Sequence, residues 1–122
     1  MNLRLATLMS TLLLIPSLTL ACPELLQHKM KKLHSEEIVD LCELASGRPL
    51  LIVNTASHCG FTGQFVALEA IHQRYRERGI VFVGVPSNSF HQEAKTQAET
   101  ADVCYVNYGV TFTMLAPVNV SG

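Results

Sequence analysis

Four cysteines, at positions 22, 42, 59 and 104, are the side chains best suited to chemistry in this 122-residue sequence. Cys59 follows a continuous apolar run, Leu50-Leu51-Ile52-Val53, and precedes a segment of helical periodicity that begins near Thr62. A thiol between a strand and a helix meets the helix's free N–H groups and positive dipole end, which favour a thiolate. His58, when protonated, adds to this effect, Gly60 admits close approach of the backbone, and Thr62 is placed to cap the helix. The site lies outside the carboxyl end of a strand, where open α/β sheets place their ligands. On position alone, an inert buried cysteine explains Cys59 as well as a reactive one does.

The remaining thiols divide into two cases. A sulfenic acid on Cys59 would condense with a second thiol to a disulfide, and Cys104 is the candidate resolving residue. Taken alone, its place beside Val103 and Val106 reads better as a packed apolar position. Cys22 and Cys42 are the candidates for a structural disulfide, whose loop of about 20 residues is worth roughly 3 kcal/mol in the entropic model. Four cysteines allow three pairings, and none forms a C-x-x-C, which argues against a dithiol exchanger. Cys22, His28, His34 and Cys42 lack the spacing of a metal site, so neither a metal nor any other cofactor is expected.

The compartment follows from the N-terminus. Arg4, an apolar run from Leu5 to Leu20 broken by Pro16 and Ser17, and small residues at Thr19 and Ala21 have the layout of a secretory signal peptide over 1–21. The run is shorter than the ~20 apolar residues of a membrane span, so cleavage is expected and no stable span remains. A periplasmic or secreted product is expected, in an oxidising compartment that permits disulfides. Acylation of Cys22 is the lesser alternative, because the bulky Leu20 suits a lipobox poorly. Removing Arg4 leaves eight basic against ten acidic residues, net −2, which excludes a basic nucleic-acid binder.

The cysteines are expected to sit on one small α/β domain over 22–122. Residues 23–32 read as a polar, non-repetitive leader. Ser35-Glu36-Glu37 reads as a helix start with Ser35 as N-cap, and Ile38, Leu41, Cys42 and Leu44 form its apolar face. Gly47 and Pro49 end that unit. The run over 50–53 reads as a strand buried on both faces. A helix over 62–78 buries Phe65, Leu68, Ile71 and Tyr75 and stops at Gly79. Residues 80–85 form a second buried strand, parallel to the first. A Ser87-Asn88-Ser89 loop and a helix over 95–105 follow, and Val118-Asn119-Val120 begins a third strand.

Four ordered blocks resemble the glutathione peroxidase family. They are Leu51-Ile52-Val53-Asn54-Thr55-Ala56-Ser57-His58-Cys59-Gly60-Phe61-Thr62, then Leu68-Glu69-Ala70 with Tyr75, then Val85-Pro86-Ser87-Asn88-Ser89-Phe90, then Asn107-Tyr108-Gly109-Val110-Thr111-Phe112. The resemblance runs from about Lys32 to Gly122. It implies a thioredoxin-like fold, with a central, mostly parallel sheet flanked by helices. It also implies reduction of hydrogen peroxide or organic hydroperoxides by a thiol donor, glutathione or a thioredoxin-like protein, and a part in the response to oxidative stress. Cys59 falls on the peroxidatic position and Cys104 on the resolving cysteine of some members. The family's active-site Gln falls at Ser89, which has no amide, with Asn88 beside it. Gly63 stands where the family starts the helix with Pro, and the sequence has no Trp, so the family's C-terminal Trp and Asn segment is expected to be missing. The alternative is a non-catalytic truncated remnant or a thiol-based peroxide sensor.

Overall fold

The computed structural model describes residues 21–121. The expected signal segment, 1–21, lies outside the described residues except for Ala21.

The described residues begin with a short 3-10 turn, Glu24–Leu26, and an antiparallel ribbon of β1 (Lys29–Lys31) and β2 (Ile38–Asp40). The residues expected to be a leader are thus partly a strand. Cross-strand pairing and exposed Lys–Glu contacts, Lys31 to Glu36 and Lys32 to Glu37 at 2.8 Å, hold that polar segment in place. The helix expected at Ser35 starts later, as α1 (Leu41–Ala45). Asp40 caps it by accepting from the Cys42 and Glu43 amides, whereas Ser35 Oγ accepts from Glu37 N within a turn. A carboxylate cap satisfies two free amides at once, and that outweighs the sequence signal at Ser35.

The main sheet is formed by β3 (Leu50–Thr55), β4 (Val81–Pro86) and β5 (Thr113–Met114), in that order. Both pairings are parallel, as expected for the first two strands. The strand expected at Val118 is instead β5, further upstream, because Phe112, Met114 and Leu115 are the residues that reach the core. Val118 N–H donates to Pro86 O without extending a strand.

The central strand β4 explains the packing. Phe82 joins Phe65, Cys104, Phe112 and Met114 on one face, and Val83 and Val85 join Val39, Leu41 and Leu115 on the other. Each such side chain contributes about 1.5–3 kcal/mol by leaving water. Gly84 faces the first cluster, where a Cβ would collide with Met114 Sδ and lie 2.8 Å from its Cε. By contrast β3 is not buried on both faces. Leu51 and Ile52 are 42% and 45% exposed, because among the described residues β3 pairs on one side only.

The second helix, α2 (Gln64–Tyr75), is followed by a 3-10 turn, Arg76–Arg78, and by Gly79 at φ 83°, the expected left-handed stop. Phe65 is buried, Leu68 and Tyr75 are packed against the core, and Ile71 is exposed. His72 takes the inward place of Ile71, edge-on to Phe82 and Phe112 at 5.4 and 5.7 Å. The last helix, α3 (Gln97–Ala101), opens with a Thr96–Glu99 capping box and continues as a π-helical stretch, Asp102–Asn107, that carries Cys104. No helix among the described residues is long and apolar enough to cross a membrane.

Candidate active site

Cys59 sits in the turn between β3 and α2, half-buried. Thr62 builds this turn. Its Oγ1 accepts from Cys59 N at 2.9 Å and lies 2.8 Å from Cys59 O and 3.0 Å from Ala56 O, while Thr62 N donates to Cys59 O. Thr62 therefore closes the cysteine's own turn and does not cap α2, which starts after Gly63 with no side-chain cap. The Phe61 N–H points at Cys59 Sγ from 3.4 Å, a donor aimed at the sulfur. Gly60 does not serve close packing, since a Cβ there would meet nothing within 4 Å. Gly60 is exposed, so the backbone next to Cys59 faces solvent.

Beside Cys59 lies a cavity of about 350 Å³ lined by Phe61, Phe65, Leu68 and Phe90. Gln64 and Gln92 also line it. Asn88 and Ser89 do not. They border a second hollow with His91 and Asn119. Ser89 Oγ accepts from Val120 N and Ser87 Oγ, both at 3.0 Å, and donates to Asn119 Oδ1. A short hydroxyl finds backbone and amide partners nearby, so the residue at the family's Gln position is engaged at the second hollow and does not line the cavity beside Cys59. Gln92 has no motif of its own, and the one signal for it in the sequence is an amide three residues past Ser89.

Cys104 is in a different environment. It is 1% exposed and packed with Phe65, Phe82 and Phe112. Burial, and then the negative charge of Glu93, push its thiol from 9.0 up to about 12. At neutral pH it is a protonated core side chain. Cys22 and Cys42 form the expected disulfide, with Cα atoms 5.8 Å apart, which removes both from any metal site.

The sequence profile of the glutathione peroxidase family matches residues 25–122. The chain belongs to this family. It is 51% identical over 77 residues to a glutathione peroxidase-like peroxiredoxin of Schizosaccharomyces pombe, covering 62% of this chain and 49% of that one. Identity to a glutathione peroxidase of Lactococcus lactis is 44%, with the same shares covered. The crystal structure of a protein named Trgpx, in apo form, superposes with a TM-score of 0.55 at 31% identity, over 80% of this chain and 54% of that one. A hypothetical protein from Sinorhizobium meliloti superposes with a TM-score of 0.60 at 20% identity, over 73% and 49%, and supports the fold alone. This family fold is thioredoxin-like, as expected, and the chain spans about half the length of the curated relatives it matches.

Proposed function

We propose that this glutathione peroxidase family chain belongs to a thiol-dependent peroxidase that reduces hydrogen peroxide or organic hydroperoxides through Cys59. The carrying observation is a half-buried cysteine in the turn that follows a parallel strand, with the Phe61 N–H directed at its sulfur and a cavity beside it. The Cys59 thiolate attacks the O–O bond and becomes a sulfenic acid, and the distal oxygen takes a proton and leaves as water or alcohol. Cys104, once exposed, attacks the sulfenic sulfur, and the hydroxyl leaves as water. A thiol donor, glutathione or a thioredoxin-like protein, then restores both thiols. The Cys22–Cys42 disulfide supports a periplasmic or secreted location, because such bonds persist in oxidising compartments. It also uses the Cys22 thiol that a lipid anchor would need.

One observation favours a second reading, a peroxide-sensing thiol without turnover: the residue expected to resolve Cys59 is closed inside the core. Peroxide consumption in the presence of thioredoxin or glutathione separates the two. The peroxidase reading expects many turnovers, abolished in Cys59→Ser. Turnover retained in Cys59→Ser overturns the assignment, and a single stoichiometric oxidation selects the sensor.

A further inference from the structure

Glu93 is a buried acid that the proposed chemistry leaves unused. It is 9% exposed and takes part in none of the ion pairs among the described residues. One oxygen, Oε1, accepts from Ser57 Oγ, from Thr100 Oγ1 at 2.8 Å and from the Ala94 amide at 2.8 Å. The other, Oε2, is buried without a partner. Burying a carboxylate with no counter-ion is costly, and a fold keeps such a group only where its contacts compensate.

Those contacts span both thiol-bearing segments. Ser57 is 7% exposed and lies two residues before Cys59, and Thr100 is 1% exposed and lies four residues before Cys104. The same loop is tied to the Cys59 turn a second time, by His58 N donating to Gln92 O at 2.8 Å. Asn88 Oδ1 accepts from Glu93 N at 3.3 Å and steadies the loop from behind.

We propose that Glu93 is a positioning residue, a buried tether that fixes the Cys59 turn to the helix carrying Cys104 and thereby governs how the two thiols meet. Its charge is also the second cause, after burial, of the raised Cys104 thiol. The role in the meeting of the thiols rests on the peroxidase reading. In that step the Cys59–Cys104 S–S bond forms, the sulfenic S–O bond breaks, and the hydroxyl leaves with the thiol proton as water.

The test needs no peroxide in its first part. Iodoacetamide labelling of Cys104 and Cys59 is followed by mass spectrometry in Glu93→Ala, Glu93→Gln, Ser57→Ala and Ser57→Ala/Glu93→Ala, with circular dichroism to confirm folding. The Ser57 hydroxyl bonds to Glu93 and not to the helix, yet Ser57→Ala should speed Cys104 labelling at least about threefold, and Glu93→Ala about tenfold or more. Adding Ser57→Ala to Glu93→Ala should change nothing further, because the two act through one contact. Glu93→Gln keeps an Oε1 that accepts the same hydrogen bonds, so it shows the effect of the charge alone. Unchanged Cys104 labelling in Ser57→Ala overturns the tether, and that variant keeps the test available if Glu93→Ala does not fold. Additive effects overturn it as well. One equivalent of hydrogen peroxide is added last. Faster labelling with no Cys59–Cys104 disulfide in any variant leaves the tether standing and counts against the peroxidase reading.

Discussion

In the native reduced protein, Cys104 should react with iodoacetamide far more slowly than an ordinary thiol. Only the thiolate is nucleophilic. Moving the thiol from 9.0 to about 12 lowers its thiolate fraction at mildly alkaline pH by about a thousandfold. The side chain is also 1% exposed, so the reagent reaches it only through openings of the fold. The perturbation is urea, which removes both effects together. Differential isotope labelling of the Cys59 and Cys104 peptides, with the Cys22–Cys42 disulfide left intact, gives each rate separately. Native Cys104 should label about a thousandfold more slowly than in urea, or slower still, and the two cysteines should label alike once unfolded. A native Cys104 rate within about tenfold of its rate in urea would show that neither burial nor the Glu93 charge holds the proton.

The same thiol sets a pH dependence of stability. Between pH 9.0 and about 12 the folded state keeps the Cys104 proton that the unfolded chain gives up. Stability is therefore full below about pH 9 and falls as pH rises toward 12, by about 4 kcal/mol, and Cys104→Ala should flatten that slope in urea titrations. Cys42→Ser should lower stability by roughly 3 kcal/mol, since the bond closes a loop with a sequence separation of 20, and a thermal melt would detect the loss. Gly84→Ala should cost about 1–3 kcal/mol, because Met114 Sδ and Phe112 already fill the space, and an unchanged urea midpoint would contradict that packing.

Much of the fold was legible because its signals were local. The apolar run of β4 and the left-handed stop at Gly79 depend on neighbours in sequence, and so does the placement of Cys59 between a strand and a helix. The positions that differ from the sequence expectation depend on contacts across the chain. β1 is ordered by pairing with β2, not by its own hydrophobicity. The exposure of Leu51 and Ile52 follows from which edge of β3 is paired, which no periodicity reveals. His72 replaces Ile71 because Phe82 and Phe112 offer an aromatic slot one residue further round the helix. In the site, Ser89 faces Asn119, and Gln92 lines the cavity. Glu93 gave no sequence signal, since its partners Ser57 and Thr100 are far apart in the chain.

The proposed chemistry requires that Cys59 be the sulfur that peroxide oxidises. Dimedone trapping in Cys104→Ser, after one equivalent of hydrogen peroxide, tests it most directly, because the sulfenic acid then lacks its candidate partner. Peptide mass spectrometry should show the adduct on Cys59, with the Cys22–Cys42 disulfide unchanged. An unmodified Cys59 in folded protein would contradict the account.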